Sequence, residues 1–292
     1  MRELTIEIPP GLGGKSVREI LRGSMKVSAG AITRAKKRER GILLNGEPVF
    51  TTARVREGDR LTIEIAEKET AAHFAPAYLP LDVLFEDQDL LILNKPAGMA
   101  VYASKEGGRE AALANAAAGY LGADAVIHFV SRLDRGTSGI IVLAKNAYAH
   151  EALRKAQHTG SFAREYLAIA RGSFPEKNGK IELPIARGEG LRRIVSESGK
   201  PALTQYEVLS EKNGLSLVRL KPLSGRTHQL RVHLSAIGHP LLGDWLYGQE
   251  SPEITRPALH SARLSMCHPV SGKELSIECP LPEDMKRFFP EE

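Results

Sequence analysis

The spacing of apolar and polar positions divides the chain into a short front segment and a long body. Val17, Ile20 and Leu21 fall at helical spacing behind Ser16, and Glu19 three residues after that serine completes a capping-box pattern. A helix is predicted there, with Gly23 as its stop. A second helix is predicted from Ser28 to Arg40 with Gly41 as a left-handed cap, so that Arg34, Lys37 and Arg38 recur at i, i+3 and i+4 and make one face basic. Ile42-Leu43-Leu44 runs into Asn45-Gly46, a favoured two-residue hairpin turn, and after a Gly58-Asp59 turn Leu61-Thr62-Ile63-Glu64-Ile65 alternates as a strand. Residues 69–80 have no clear period and carry two prolines, which reads as a linker.

From Leu81 the texture changes to many short apolar runs. Strands are predicted at Val83–Glu86, Leu90–Leu93, Ile140–Ala144, Tyr166–Ala170, Leu203–Leu209 and Leu215–Leu220, and helices at Arg109–Leu121, Ala147–His158 and Thr227–Ile237. Strands and helices do not alternate regularly. The predicted class is therefore α+β, a mixed and mostly antiparallel sheet flanked by helices and loops, with a small front α/β module.

Composition narrows the function. The 292 residues carry 40 Lys and Arg against 35 Asp and Glu, and the excess sits at the front: residues 1–67 hold 13 basic and 9 acidic side chains. Between Gly11 and Arg40 the count is 9 to 2, a local positive field suited to a polyanion, nucleic acid first and a membrane surface second. Two cysteines, Cys267 and Cys279, cannot supply a disulfide framework for such a chain, and no run approaches the roughly 18 apolar residues of a membrane span. A cytoplasmic protein without a signal peptide or membrane anchor is expected.

Two clusters could carry chemistry. The first, His128-Phe129-Val130-Ser131-Arg132-Leu133-Asp134-Arg135-Gly136-Thr137-Ser138-Gly139, places a carboxylate between arginines where a loop meets a predicted strand, so Asp134 is a candidate for either a working group or a structural ion pair. The second runs from Lys221 to Leu234 and on through Gly243-Asp244-Trp245-Leu246-Tyr247-Gly248. Leu230, Leu234 and Ile237 form its apolar stripe and leave Arg226, His228 and Arg231 on other sides. His228 and His233 are five apart rather than four, and the cysteines form no CxxC pair, so no zinc site is expected and most of these histidines are expected to be packed or hydrogen-bonded in place. Phosphate-binding, dinucleotide-binding and serine-nucleophile motifs are all missing, which leaves nucleotide-cofactor and serine-hydrolase readings without support.

Asn94-Lys95-Pro96-Ala97-Gly98, Arg132 to Gly139, Arg164-Glu165-Tyr166-Leu167-Ala168 and Gly225-Arg226-Thr227-His228-Gln229-Leu230-Arg231-Val232-His233 occur in the order seen in RluA-type RNA pseudouridine synthases, which the chain resembles over Leu81–Pro282. The segment Ala258–Leu264 with His268-Pro269 is similar as well, and residues Leu4–Glu67 resemble the alpha-L RNA-binding module that family members often carry. The resemblance implies an RNA-binding domain at 1–68, a linker at 69–80 and a catalytic domain at 81–292. It implies that Asp134 is the essential aspartate, Tyr166 the active-site tyrosine and Arg226 the arginine paired with the aspartate. Arg132 would enter the RNA where the target base leaves, and Arg34, Lys37 and Arg38 would contact RNA. Lys95-Pro96 is expected to fix a turn. The chain departs from the pattern at Ser131, where many members have His, and at Gly136, often acidic or another residue.

Such an isomerisation needs no metal or cofactor, since one bond from ribose to uracil is exchanged for another. Large-subunit ribosomal RNA is the expected substrate, with transfer RNA as the alternative. Two competing functions are an RNA-binding assembly factor without catalysis and a hydrolytic glycosylase, the latter lacking the second carboxylate such enzymes use.

Overall fold

The computed structural model describes residues 2–67, 74–103, 111–122 and 125–290. At the front, β1 (Arg2–Glu7), α1 (Val17–Gly23), α2 (Ala29–Ala35), β2 (Ile42–Leu44), β3 (Glu47–Pro48) and β4 (Arg60–Ile65) form a four-stranded sheet of order β1-β4-β2-β3 backed by two helices. The Ser16/Glu19 capping box is formed, with Ser16 N donating to Glu19 Oε2 at 2.7 Å. Asn45 and Gly46 take positive φ of 55° and 88°, the hairpin turn expected of that pair. Val17, Ile20, Leu21, Leu61 and Ile63 are all fully buried in this unit's own core.

The second helix is shorter than its sequence pattern suggests. It stops at Ala35, and tighter turns follow, with Lys37 N donating to Arg34 O and Arg38 N to Ala35 O. These bend the chain back until Gly41 lies on Ala35, where a Cβ would sit 2.0 Å from the Ala35 carbonyl oxygen. Gly41 is therefore a close-approach glycine and not a left-handed cap, and Lys37 and Arg38 stand beyond the helix instead of continuing its face.

The body is α+β. Its strands are β5 (Asp82–Glu86), β6 (Leu90–Lys95), β7 (His128–Phe129), β8 (Ser138–Ala144), β9 (Phe162–Arg171), β10 (Asn178–Glu182), β11 (Ile185–Arg187), β12 (Arg193–Val195), β13 (Leu203–Lys212), β14 (Leu215–Pro222), β15 (Leu259–Cys267) and β16 (Glu274–Glu278). Its helices are α3 (Leu113–Leu121), α4 (Ala147–Thr159), α5 (Gln229–Ala236) and α6 (Glu283–Lys286). Ten strands make one sheet along β10-β13-β14-β9-β15-β8-β6-β5, with β16 on β15 and β7 on β8, and β11 and β12 form a separate ribbon. Pairing is antiparallel except between β15 and β8. The predicted start of α3 at Arg109 lies outside the described residues. Residues 74–80 of the expected linker run against α3, where Ala77 N donates to Asn115 O at 2.9 Å.

The period of two explains why the central strands are apolar throughout. Leu91, Leu93, Ile141 and Leu143 face a core shared with α3 and Tyr166, whereas Leu90, Ile92, Ile140 and Val142 face a second core shared with Ala149 and Leu153 of α4. Both faces are covered, so neither can be polar. At the parallel junction Gly139 has φ +103° and a Cβ there would come 2.3 Å from Ser261 O, so only glycine lets β8 and β15 meet. Next to it Ser138 Oγ lies 2.9 Å from His260 Nδ1, and His260 Nε2 donates to Cys279 O at 3.2 Å.

The front unit is docked on the body by polar anchors. Arg2 clasps Asp89 through Nε (2.7 Å) and Nη2 (2.9 Å), Tyr148 Oη donates to Met25 O at 2.8 Å, and Glu67 accepts from Ala147 N at 2.7 Å at the start of α4. Among the described residues no helix is long and apolar enough to cross a membrane.

Burial pushes the His260 imidazole down to about 4 from its ordinary 6.5, because the charged ring cannot be solvated there. The unfolded chain therefore binds a proton between these values that the folded chain refuses, and stability falls as pH drops from 6.5 towards 4. The expected loss from this residue is about 3 kcal/mol, measured by denaturant unfolding across that range. His260→Gln, though less stable at pH 7, should show a flatter profile; parallel profiles would remove His260 as the cause.

Candidate active site

A cavity of about 750 Å³ opens where the loop between β7 and β8, the start of α5 and the face of β9 converge. Asp134 belongs to that loop. Its carbonyl accepts from Thr137 N at 3.0 Å, closing a turn, while the preceding Leu133 is buried in the core. Lys95, fully buried at the end of β6, donates from Nζ to Pro96 O (2.8 Å), Met99 O (2.9 Å) and Arg135 O (3.3 Å). It fixes the turn as expected and ties that turn to the Asp134 loop. Burial, with the nearby Arg256 charge, brings its amine down to about 8. From the other side Arg256 Nη1 donates to Gly136 O at 3.2 Å while its fork grips Asp284. Gly136 lies so close to Pro257 that a Cβ would be 3.0 Å from its Cδ, a tight fit that accounts for the small residue here.

The arginine facing Asp134 is Arg231, a correction to the sequence-based pairing with Arg226. Arg231 Nη1 lies 3.7 Å from Asp134 Oδ2, and among the described residues no other guanidinium comes within ion-pair distance of that carboxylate. Arg226 lines the same cavity, but its Nε donates to Pro201 O at 3.0 Å. The reason is where α5 begins. The helix starts at Gln229, not Thr227, so Arg226 belongs to the preceding turn and Arg231 to the first turn of the helix.

Arg231 is held from behind by Asp244, a fully buried carboxylate, through Nε and Nη2 at 2.7 Å each. Asp244 Oδ1 also accepts from Leu246 N and Tyr247 N. Burial opposes the Arg231 charge, and the hydrogen bonds and field of Asp244 outweigh it, leaving the guanidinium more firmly protonated than usual. His228 is hydrogen-bonded in place, its Nδ1 2.8 Å from Tyr247 Oη, and its Nε2 lies 3.9 Å from Asp134 Oδ1.

Tyr166 of β9 is buried, pairs across to Leu220 and Ser261, and turns its ring to the cavity. Arg132 is exposed at the rim, and Ser131 lines the wall. In all, Arg132, Arg135, Arg164, Arg193, Arg226 and Arg231 line the cavity, and Asp134 is the one carboxylate among its described lining residues. The structure thus brings Asp134, Tyr166, Arg226 and Arg132 to one place. Arg34, Lys37 and Arg38 lie elsewhere, on the front unit: Arg34 Nε donates to Ala66 O, Lys37 is exposed, and Arg38 pairs with Glu64.

Asp87, Asp89 and His268 form a cluster of ligand-type side chains near the Arg2 anchor. Their atoms are engaged within the protein: Asp89 with Arg2 and Asn146, Asp87 Oδ1 with two backbone amides, and His268 Nδ1 with Val270 N and Ser271 N.

The sequence profile of the RNA pseudouridylate synthase family matches residues 89–236. The chain is 39% identical over 294 residues to the uncharacterized RNA pseudouridine synthase YhcT of Bacillus subtilis (strain 168), covering 98% of this chain and 96% of that protein. It is 36% identical to the ribosomal large subunit pseudouridine synthase D of Zymomonas mobilis over 283 residues, 90% of this chain and 86% of that one. The solved structure of human RNA pseudouridylate synthase domain containing 1 superposes with a TM-score of 0.59 at 28% identity, covering 71% of this chain and 86% of that one. The chain belongs to the RNA pseudouridine synthases, of the RluA type. It is an isomerase acting on RNA.

Removing Arg231 would leave Asp244 charged and buried with only the two backbone amides and no cation. Arg231→Met is expected to cost about 3–5 kcal/mol of stability, whereas Arg226→Met should change it by no more than about 0.5 kcal/mol. Chemical denaturation of the two variants checks this, and the reverse order would contradict the pairing.

Proposed function

We propose that Asp134 is the essential carboxylate of a synthase that isomerises uridine in large-subunit ribosomal RNA. The observation that carries this reading is an arginine-lined cavity whose one carboxylate among the described lining residues, Asp134, is set against Arg231, with a buried tyrosine on its wall. The arginines around the cavity other than Arg231 suit the phosphates flanking one nucleotide, and a base enclosed there must have left its stack, at a cost of a few kcal/mol. Arg132, exposed at the rim, fills the gap the base leaves.

In the reaction the bond from ribose C1′ to uracil N1 breaks with its electrons going to the uracil, the uracil turns, a bond from C1′ to C5 forms, and the C5 proton departs while N1 takes one up, so that the product is an isomer of the substrate. Asp134 acts on the sugar, either by attack at the anomeric carbon or by taking a neighbouring ribose proton. Arg231 fixes the carboxylate and favours its charged form. Tyr166 offers a flat face to the detached uracil, and its hydroxyl assists removal of the C5 proton. Arg226 contacts the RNA backbone at the mouth rather than the aspartate.

The ribosomal target is supported by the large-subunit synthases among the relatives and by the basic front unit. A second cavity of about 1170 Å³ lies between that unit and α4, with Arg22, Lys26 and Arg34 on one wall and Arg154 and Lys155 on the other. His128 lines it while its neighbour Phe129 lines the first, so a single short strand separates the two. RNA flanking the target runs across this division onto the front unit, which we take as an RNA-binding domain at 1–68 joined through 69–80 to the catalytic domain at 81–292. Both cysteines are free, in keeping with a reducing cytoplasm.

Incubation with ribosomal RNA tritiated at uracil C5 should release tritium and yield pseudouridine, and Asp134→Asn should abolish release while RNA binding persists. An active Asp134→Asn enzyme would refute the role of this residue, and free uracil would indicate hydrolysis. For the front unit, where Lys36 and Lys37 are both exposed just beyond α2, Lys36→Ala with Lys37→Ala should make the slope of log K against log salt shallower by about 2. An unchanged slope would show these cations to be merely solvated.

A further inference from the structure

His228 occupies an unusual place. It stands at the N-cap of α5 with φ +57° and ψ 18°, a left-handed conformation that strains a non-glycine residue and persists where something else requires the side chain. Glycine would relieve the strain but supply no ring. The ring is half-buried, its Nδ1 2.8 Å from Tyr247 Oη and its Nε2 3.9 Å from Asp134 Oδ1. Tyr247 Oη accepts from Arg193 N at 2.8 Å, which leaves its own proton available to His228 Nδ1. With the phenol donating, Nδ1 accepts and Nε2 carries the hydrogen on the side facing Asp134. The phenol ring lies under the Arg231 guanidinium, 5.0 Å from ring centroid to Cζ, so one tyrosine braces both groups that face the carboxylate.

We propose that His228 is a positioning residue for the isomerisation, its neutral Nε2–H steering Asp134 Oδ1 while Arg231 holds Oδ2, with Tyr247 locking the tautomer. This rests on the functional reading of Asp134 above. The two oxygens are thereby unequal in their partners, and the carboxylate is set in one rotation before the ribose arrives. Protonation of His228 would place a second full cation on Asp134 and draw the carboxylate away from the sugar, so the neutral ring is the working form.

The groups facing His228 are Asp134 from the loop, Arg231 from α5, Arg193 from β12, and Asp244 and Tyr247 from the segment after α5. Burial disfavours the imidazolium most, the two arginines add to this, and the two carboxylates oppose it, leaving the ring less basic than an ordinary histidine. Loss of the Tyr247 hydroxyl removes the donor that stabilises unprotonated Nδ1 and makes the ring easier to protonate.

The test is single-turnover conversion of tritiated ribosomal RNA by the full chain between pH 5 and 8, with thermal unfolding recorded in parallel. His228→Ala should lower the rate at saturating RNA on the order of 10- to 100-fold with little change in half-saturation. His228→Gln, whose amide N–H can stand in for Nε2–H, should recover part of that loss and show a shallower fall in rate on the acid side. Tyr247→Phe, which keeps the packing, should move the acid fall upward by on the order of half a pH unit to one unit. If all three variants keep the wild-type rate and profile, or lose rate only in proportion to lost stability, the proposal is overturned. An inert wild-type chain would instead overturn the functional reading on which it stands.

Discussion

A buried ion pair at the base of the cavity governs the geometry around it. Asp244 has no exposure to solvent, and its two oxygens are taken by the Arg231 fork and by two backbone amides. A pair of this kind contributes little net stability compared with apolar packing, because two ions must be desolvated. It confers direction instead. With Nε and Nη2 committed to Asp244, the remaining amine of Arg231 is turned towards Asp134, and the guanidinium cannot swing to solvent without abandoning a buried charge.

The sheet supplies the other half of the constraint. Its central strands are apolar on both faces, so no working group can emerge mid-strand, and polar side chains gather at strand ends and in the connecting loops. Lys95 ends β6, Asp134 precedes β8, and Arg231 opens α5 just after β14. Lys95 and Arg256 hold the Asp134 loop from opposite sides by its backbone carbonyls, which leaves the carboxylate itself available to the cavity. Tyr166 is the exception, a strand residue whose face of β9 forms the cavity wall.

Much of this was legible in the sequence, for identifiable reasons. The runs Leu90–Leu93 and Ile140–Ala144 and the alternation at Leu61–Ile65 announced strands because burial on one or two faces writes itself into neighbouring positions. The helix at Ala147 was predicted too, and the structure closes it with Asn146, whose side chain accepts from Ala149 N, and with Gly160 in the left-handed region. Asp134, Tyr166, Arg132 and Arg226 do converge on one cavity. What the sequence did not disclose depends on contacts between distant segments. Ala35 ends its helix because the chain folds back at Gly41, which no local propensity records. The pairing of Arg226 with Asp134 came from the resemblance, and Arg231 takes that place because its fork is anchored on Asp244, a contact between distant segments. Asp244 and Tyr247 were visible as residues, but their grip on Arg231 and His228 joins a loop to a helix 13 and 19 positions away.

The most direct measurement is a crystal structure of the Asp134→Asn variant bound to uridine-containing ribosomal RNA. The account predicts one uridine extruded into the cavity, its ribose C1′ against the amide that replaces the Asp134 carboxylate and its base on Tyr166, with Arg231 still clamped to Asp244. A complex in which the uridine stays stacked, or in which the sugar approaches Arg226 and Lys95 while the substituted side chain contacts nothing, would contradict it.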